Sequence, residues 1–525
     1  MRNKTWMVAL LAGFFGIASS AMYSSQASQV GGLADAVSDG AMSAARTVAE
    51  GAASAVSAVK DLVQPPRHGP SEIRTTLVHP KIDDWEDPEV CGGCHERQYK
   101  GWQGSMHSIA FKDPIFQAEW AIAEKETGGQ LQTLCGGCHT PIGTLTNTVK
   151  FDPKLGKHGG FTAPGVAEKG VSCDVCHSVS GSSAKTSPYG GPGNNSLIYS
   201  PGTTKFGPLK DAKSPYHETQ YSELHTKADF CGNCHNIFHP VNKFPIEHTY
   251  DEWKQTPYAQ NGIVCQDCHM VPVDTARRVA DEMKRPKDLA NHGLGGFAGA
   301  GAEQERSLVH DHGFVGGNSV VAPLLGVEGG EEHRAEAIKR LQSAAELDMF
   351  VRPLDASGTY ELKVKVTNQR AGHHLPTSLT FVRQLWLDVT VTDANGKVIL
   401  RSGQLDANNY LEAGSVVFRN NTVDAKGNDT LDPWKIAGIT EFNTIPPKGF
   451  RYGAYAFRLP AYQPGFKVTA KLNYMSYDQK FANKLLGKDA IRVPVVNMKE
   501  LTRSFDTQGR EVAAIDRVAV KLAGK

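Results

Sequence analysis

All ten cysteines of the 525-residue chain lie in five copies of one short pattern, Cys-x-x-Cys-His. We number the copies from the N-terminus as the first to the fifth motif. They are Cys91–His95, Cys135–His139, Cys173–His177, Cys231–His235 and Cys265–His269. This pattern is the attachment signature of c-type haem, in which two thiols form thioethers with the vinyl groups and the adjacent imidazole is the proximal iron ligand. The motifs therefore predict five covalently bound haems c.

Each motif gives three residues a predicted role. The thioether anchors are Cys91, Cys94, Cys135, Cys138, Cys173, Cys176, Cys231, Cys234, Cys265 and Cys268. The proximal iron ligands are His95, His139, His177, His235 and His269. Other uses of paired cysteines fit less well. Zinc ribbons do not require a histidine after every second cysteine, a thioredoxin-like redox pair would occur once, and a disulfide framework would scatter its cysteines to close long loops.

The second axial ligands are sought among the fourteen histidines outside the motifs. His107 follows His95 by twelve residues, which is about 18 Å along a straight helix, whereas two ligands of one iron lie about 4 Å apart. His107 is therefore expected to reach a neighbouring haem, and the same reasoning applies to His225 and His239 relative to His235. The candidate distal ligands are His107, His217, His225, His239, His310 and His312.

The N-terminal residues predict export. Arg2 and Lys4, an apolar run from Trp6 to about Ala21 and a stretch of small residues form the pattern of a signal peptide over residues 1–27. Its removal lowers the formal net charge from +1 to −1, because two basic residues and no acidic one are lost. Five oxidised haems with ionised propionates lower the charge further, to about −6. We expect an exported protein, periplasmic or at the cell surface, with no nucleic-acid partner and no transmembrane span after processing.

The motifs also constrain the first half of the mature chain. Residues 28–66 are rich in Ala and predict an N-terminal helix or arm. Residues 67–325 contain the five motifs, which occupy only 179 residues. That is too little chain to build a separate apolar core around each haem. We therefore expect closely stacked haems to form the core of a mainly α and loop domain.

The second half has a different pattern. Residues 326–350 predict a connecting helix, from Glu331 to about Met349. Residues 351–525 alternate apolar and polar positions between turn signals such as Asp393-Ala394-Asn395-Gly396, which predicts an antiparallel β-sandwich domain. The pair His373-His374 precedes the first long strand run, and the sequence favours a structural role for it over iron ligation. The fold class expected is thus mixed, a haem-cored domain followed by a β-sandwich.

Several longer stretches resemble a known family. They are CGGCHERQYKGWQGSMH, GVSCDVCHSV, ADFCGNCHNIFHP, IEHTYDEWKQTPYAQNGIVCQDCHM, HDHGFVGGN and AGHHLPTS. Together they look like secreted multihaem cytochromes c related to the tetrahaem cytochrome that accepts electrons from hydroxylamine oxidoreductase, and like cell-surface cytochromes of metal-reducing bacteria. The resemblance implies bis-histidine haems in closely packed pairs that transfer electrons, with His107 and His225 at distal-ligand positions. The tetrahaem carrier has one haem fewer and no comparable β domain, so its partner does not carry over.

Three functions remain open on the sequence. The leading hypothesis is a non-catalytic pentahaem carrier in anaerobic or extracellular respiration, whose partners are redox proteins or an extracellular electron acceptor. The second is an oxidoreductase with one open iron that acts on a small nitrogen or sulfur oxyanion, with His292, His310 and His312 as proton donors. Nitrite reduction is disfavoured, since no motif has Lys in place of its histidine, as the catalytic haem of pentahaem nitrite reductases does. The third is a homo-oligomer or filament in which residues 28–66 or an exchanged histidine join the protomers. No catalytic residue is assigned.

Overall fold

The computed structural model describes residues 71–183, 187 and 190–513, all within one compact unit of the chain. The predicted signal peptide and N-terminal arm lie outside the described residues, as do residues 514–525. Among the described residues, no helix combines the length and apolar composition needed to cross a lipid bilayer.

The part of the chain that contains the motifs consists of short elements joined by loops. Its helices are α1 (Pro88–Gly92), α2 (Glu96–Gln103), α3 (Pro114–Thr127), α4 (Gln132–His139), α5 (Pro141–Leu145), α6 (Cys173–His177), α7 (Ala228–Gly232), α8 (Thr249–Lys254), α9 (Pro257–Gln260), α10 (Gln266–His269), α11 (Val273–Glu282) and α12 (Val321–Leu324). Its strands are β1 (Arg74–Thr75), β2 (Lys150–Asp152), β3 (Gly160–Thr162), β4 (Val179–Ser182), β5 (Leu197–Tyr199), β6 (Thr204–Gly207), β7 (Glu218–Tyr221), β8 (Ile237–Phe238), β9 (Pro245–Glu247), β10 (Gly296–Phe297) and β11 (Glu305–Arg306). Short 3-10 turns cover Ile82–Asp84, Gly165–Lys169, Glu223–Thr226 and Pro286–Asp288.

Helix α3 is the longest element of this region, and its ends follow from its sequence. Asp113 caps the start by accepting hydrogen bonds from the backbone N–H groups of Ile115 and Phe116. Pro114 occupies the first helical turn, where a missing N–H costs nothing. Gly128 ends the helix in the left-handed conformation, with φ of 60°. The helix therefore holds a fixed face against the second motif.

Apolar residues around the motifs form several separate clusters. Five of these clusters contain between three and eight buried residues each. The largest of the five includes Trp85, Ile142 and Tyr199 and lies beside the second and third motifs. The polypeptide of this region thus has no single large apolar core among its described residues, in line with the short length of chain available for each motif.

The second half of the chain begins with helix α13 (Gly330–Ala344), which passes directly into a strand. The sequence predicts that this helix continues to about Met349, but Ala345–Pro353 is strand β12 instead. Ala345, Leu347 and Met349 are buried at alternate positions, and β12 pairs antiparallel with the next strand throughout. Burial at every second residue is the strand period, so tertiary pairing overrides the helical pattern here.

Two antiparallel sheets make up most of the remaining chain. The strands are β13 (Thr359–Asn368), β14 (Gln384–Asp393), β15 (Val398–Ser402), β16 (Val417–Phe418), β17 (Asn420–Asp424), β18 (Ile436–Phe442), β19 (Phe450–Arg458), β20 (Gly465–Met475), β21 (Val496–Asp506) and β22 (Glu511–Val512), with helix α14 (Gln479–Leu486) and a 3-10 turn at Pro433–Lys435. One sheet has the order β12-β13-β19, and the other has β15-β14-β20-β21-β22 with β16 also paired to β14. Strands from both sheets contribute to one hydrophobic cluster. The predicted Asp393–Gly396 turn joins β14 to β15.

The sheets pack directly against the region that contains the motifs. A second hydrophobic cluster contains Ile115 of α3 together with Trp386 of β14 and Phe481 of α14. Arg370, just after β13, forms a 2.8 Å ion pair with Asp281 of α11. The loop between β13 and β14 is therefore held against the motif region, which matters for the site.

Candidate haem sites

The five motif histidines share one hydrogen-bond arrangement. The Nδ1 atoms of His95, His139, His177 and His269 lie 2.7–2.8 Å from the backbone oxygens of Ala298, Ala110, Phe206 and Val315, respectively. The Nδ1 atom of His235 lies 3.1 Å from Oε1 of Glu247. Since every partner is an acceptor, Nδ1 carries the proton and Nε2 keeps a free lone pair. This tautomer is the one that an iron-binding proximal histidine needs.

A helical turn brings the first cysteine of each motif close to its histidine. The backbone N–H of His95 donates to the carbonyl of Cys91 at 2.8 Å. His235 and His269 make the same bond to the first cysteine of their own motifs, each at 2.9 Å. Residues four apart share one face of a helix. The motifs therefore present sulfur and imidazole to the same side, as covalent haem attachment requires.

Four motif histidines face a second histidine ring at a spacing that fits one iron. Two metal–nitrogen bonds of about 2 Å each, plus the distance from each nitrogen to its ring centre, give a centroid separation of about 6 Å. The observed centroid distances are 6.4 Å for His95 and His217, 6.2 Å for His235 and His107, 6.2 Å for His269 and His373, and 6.3 Å for His177 and His312. The chain thus holds four imidazole pairs at the separation of axial ligands.

Three of the facing histidines also have the required tautomer. Nδ1 of His217 donates to the carbonyl of Glu218 at 3.0 Å, and Nδ1 of His373 donates to that of His374 at 2.9 Å. Nδ1 of His312 is 3.3 Å from the carbonyl of His310. In each ring Nε2 is left to bind a metal. His107 differs, since its buried Nδ1 has no hydrogen-bond partner among the described residues.

His225 also lies near the third motif, but in another orientation. Its ring centroid is 5.8 Å from that of His177. Its Nε2 is 3.1 Å from the carbonyl of Cys176, which leaves a buried Nδ1 without a partner among the described residues. The structure thus places both His225 and His312 beside His177, and only His312 keeps Nε2 free.

Burial keeps the imidazoles of His107, His269 and His312 neutral, which suits metal ligation. It lowers the pKa of His107, His269 and His312 to about 3 each. A neutral imidazole has the lone pair that an iron binds, whereas an imidazolium does not. Burial would also lower the pKa of His235, but the hydrogen bond and charge of Glu247 raise it to about 9.

The second motif lacks such a pair. The ring nearest to His139 is that of Phe116, with centroids 3.5 Å apart and an interplanar angle of 5°. This separation is too short for an iron to lie between the two rings, given two metal-ligand bonds of about 2 Å. Within the described ranges, no histidine ring faces His139 at the spacing of the other four motifs.

The remaining predicted candidates, His239 and His310, do not face a motif histidine. Nε2 of His239 lies 3.0 Å from the carbonyl of Trp434, and its Nδ1 accepts from the backbone N–H groups of Val241 and Asn242. His310 has a buried Nε2 without a partner among the described residues, but its ring is not paired with a motif histidine. Neither residue is therefore brought to a motif at axial-ligand spacing.

Sequence reasoning gave His373 a structural role, yet the structure places it opposite His269. The available signal was the adjacent pair His373-His374 in a loop before a long strand. His374 donates from its backbone N–H to Glu252 and hydrogen-bonds Thr444 through Nδ1, so the two neighbours have different surroundings. Only the tertiary contact of this loop with the fifth motif distinguishes them.

Contacts between cysteines show which motifs are neighbours. The side chains of Cys91 and Cys173 lie close to each other, which makes the first and third motifs neighbours. Cys234 likewise lies close to Cys138 of the second motif, and Cys231 lies close to Cys265 of the fifth. Cys234 is also close enough to Cys176 of the third motif for its charge to raise that thiol's pKa. The five motifs form one connected cluster, and the fourth has three neighbours.

Comparisons with known proteins found a family match to part of the chain and a similar fold. A family model described as cytochrome c554 and c-prime matches residues 90–178, which contain the first three motifs. A penta-heme cytochrome c552 from Thermochromatium tepidum is similar in structure, with a TM-score of 0.54 and 17% identity over 81% of this chain and 100% of that chain. The X-ray structure of target SoR45 of the Northeast Structural Genomics Consortium aligns with 31% of this chain and 87% of that chain at 10% identity, and its TM-score of 0.15 supports no conclusion. No curated protein matches the chain.

The attachment motifs indicate a multihaem c-type cytochrome, and the family match over residues 90–178 and the similar fold agree with that class. More particularly, its first three motifs lie in a segment similar to cytochrome c554 and c-prime, and its fold is similar to that of a penta-heme cytochrome c552. The C-terminal part adds a large set of antiparallel strands.

Proposed function

We propose that the chain binds five haems c, four of them with two histidine ligands, and passes electrons along them between redox partners. The observation that most directly supports this proposal is the set of four histidine pairs whose ring centroids lie 6.2–6.4 Å apart. The proposed proximal and distal ligands are His95 with His217, His177 with His312, His235 with His107, and His269 with His373. When bound, the haems supply one-electron chemistry, and the protein fixes their spacing and tunes their potentials.

His312 is preferred to His225 as the distal ligand of the third haem. Its Nδ1 donates within its own loop, so its Nε2 is available at the expected ring separation. His225 instead directs Nε2 to the carbonyl of Cys176, a residue of the motif that attaches this haem. We assign His225 the role of positioning the third motif.

Distal ligation in this scheme ties distant segments together. His107 follows α2 but serves the fourth motif, and His217 lies just before β7 but serves the first. His373 comes from the loop between two long strands of the C-terminal sheets and serves the fifth motif. Each iron would therefore connect two segments that are far apart along the chain, and haem binding would stabilise the folded chain as a unit.

We assign residues 67–325 to the pentahaem domain and residues 351–525 to a β-sandwich that docks it to a partner, with residues 326–350 connecting them. The shared core of the two sheets supports the sandwich. Export to the periplasm or cell surface agrees with the covalent haem chemistry and with the sequence of residues 1–27. Anaerobic or extracellular respiration suits bis-histidine haems, whose donor and acceptor would be other redox proteins or an extracellular acceptor.

Intact-mass analysis of the natively matured protein tests the haem count. Five covalently added haems per chain are expected, one for each pair of cysteines. Substitution of both cysteines of one motif by serine should remove one haem mass and leave the other four. A native mass with fewer than five haems would contradict the proposal.

A second candidate function is favoured by the surroundings of His139. The second motif lacks a facing histidine among the described residues, so its iron would keep an open coordination position and could bind a small molecule. A surface cavity of about 360 Å³ is lined by residues that include Lys150, Thr162 and Ala163. Ala163 belongs to the same apolar cluster as Cys135 and Phe116. An oxidoreductase acting on a small nitrogen or sulfur oxyanion would use this site.

Carbon monoxide separates the two candidates. If the iron of the second motif has an open coordination position, addition of carbon monoxide to the fully reduced protein should change the absorption spectrum of one haem in five. If protein ligands occupy both axial positions of all five irons, carbon monoxide would leave the spectrum unchanged. This result would exclude the catalytic function and leave the electron-transfer proposal intact.

A further inference from the structure

We propose that Glu247 makes the haem of the fourth motif the lowest-potential member of the bis-histidine set. The inference rests on the proposed haem binding and goes beyond it, because it assigns one haem a distinct potential and one residue the task of setting it. Glu247 does not touch the haem iron; it acts through His235, and is therefore a positioning and tuning residue.

The contact of Glu247 with His235 is unlike that of any other motif histidine. Oε1 of Glu247 accepts from Nδ1 of His235 at 3.1 Å, whereas the other four motif histidines donate to neutral backbone carbonyls. A carboxylate that accepts the Nδ1 proton makes the opposite nitrogen a stronger donor to the metal. Stronger donation stabilises ferric over ferrous iron and lowers the reduction potential.

A short hairpin places Glu247 beneath the motif. Strand β8 follows His235 by one residue, and β9 ends at Glu247, with Ile237 and Glu247 paired across the ladder. Glu247 is only 8% exposed. The backbone N–H of Tyr250 donates to the carbonyl of His235 at 3.1 Å and ties the next helix to the same motif. Local structure thus fixes the carboxylate against the imidazole and limits its contact with water.

The charged groups around Glu247 leave this contact in place. Arg383 is the cation whose charge acts on Glu247, but its guanidinium donates to the carbonyl of Ser476 and lies over the Tyr477 ring. Glu252 is a nearby carboxyl that hydrogen-bonds Thr377 and the backbone of His374. The Ser378 hydroxyl also stabilises the Glu247 carboxylate. The 3.1 Å hydrogen bond of Glu247 to His235 is direct, so the carboxylate acts on that ring more strongly than Arg383 or Glu252 does.

The position of the fourth motif gives this tuning a consequence. Its cysteines contact those of the second and fifth motifs and influence the third, so its haem would be the junction of the cluster. An electron would remain on such a low-potential haem only briefly. Electrons would reside on the neighbouring haems and pass through the haem of the fourth motif one at a time, so the routes through the other motifs would stay separate.

Redox titration of the full-length holoprotein tests the inference, with dithionite as reductant and visible absorption as readout. In E247Q the glutamine Oε1 can still accept from His235 but without the charge. The lowest-potential wave should move upward by at least tenfold in its reduction equilibrium constant, or 59 mV for one electron. The low-spin EPR signal of one haem should shift with it. E247D keeps the charge on a shorter side chain, and its lowest wave should fall between those of the wild type and E247Q.

E252Q is the matched control, because it removes an equally enclosed carboxyl that hydrogen-bonds no motif histidine. It should leave the lowest wave in place. An unmoved lowest wave in E247Q, or an equal shift of all waves, would overturn the inference. Five haems by mass and unchanged low-spin intensity in E247Q would show that the failure concerns Glu247 alone. Missing haems in the wild type would instead contradict the proposed function.

Discussion

His269 and His373 lie with their rings 6.2 Å apart and 19° from parallel, although one belongs to the fifth motif and the other to the loop between β13 and β14. Nδ1 of His269 donates to Val315 and Nδ1 of His373 donates to His374, so both rings keep Nε2 free. This pair connects the region of the motifs to the C-terminal sheets. The β part of the chain would therefore complete a haem site as well as pack against it.

The first prediction concerns this pair. H373A should convert one haem from low to high spin, because the proposed sixth ligand of the fifth haem is lost. It should also lower the thermal midpoint of unfolding, since one link between two parts of the chain is removed. EPR and calorimetry of the holoprotein measure both effects. H374A, which alters the neighbour bonded to Thr444, serves as control and should keep every low-spin signal.

The second prediction separates the two histidines beside the third motif. H312A should produce one high-spin haem, whereas H225A should keep all low-spin signals and only perturb the local packing near Cys176. The reason is that His312 presents Nε2 at 6.3 Å ring separation and His225 does not. Spin-state quantification on both variants decides the matter. An additional high-spin haem in H225A, relative to the wild type, with none added in H312A would reverse the assignment.

The third prediction concerns an aspartate inside the fifth motif. Asp267 is 0% exposed and is held by Arg285, with Nε–Oδ2 at 2.8 Å and Nη2–Oδ1 at 3.2 Å. R285A should lower the free energy of unfolding by about 3 kcal/mol, because it leaves a buried charge unpaired. R278A, which breaks a half-exposed pair with Glu282, should cost less than about 1 kcal/mol. Denaturant titration of the two holoproteins measures the difference, and equal losses would argue against the buried pair.

The fourth prediction is a pH dependence. Burial raises the pKa of Glu252 from its usual 4.5 to about 8, against the opposing effect of its hydrogen bonds. Between these two values the folded state holds a proton that the unfolded state has lost, so the contribution of Glu252 to stability falls as pH rises through that window. E252Q should flatten the decline in unfolding free energy between pH 5 and pH 8. Denaturant titrations at several pH values test this, and parallel curves for wild type and E252Q would refute it.

The sequence predicted the haem anchors more readily than the ligands opposite them. A motif such as Cys231–His235 carries its chemistry within five residues, so local spacing is enough to recognise it. The pairing of His95 with His217, or of His269 with His373, depends on how distant loops meet, and no local pattern records that. His239 matched the sequence criteria as well as His217 did, yet its ring nitrogens are taken by Trp434 and nearby backbone groups.

The boundary between α13 and β12 was missed for a related reason. Ala344, Ala345 and Leu347 fit an apolar helical face, but the backbone pairing with β13 begins at Ala345. Pairing partners far along the chain outweigh weak local propensity. The antiparallel pattern of the later strands was easier to recognise, because turn residues such as Asn395 and Gly396 mark the hairpin between β14 and β15.

Quantitative EPR of the fully oxidised holoprotein, on material shown by mass to carry five haems, tests the central claim most directly. We predict low-spin bis-histidine signals from four haems per chain, and no signal of that type from the haem attached to Cys135 and Cys138. Two or more high-spin haems, or signals that fit only other axial ligands than paired histidines, would contradict it.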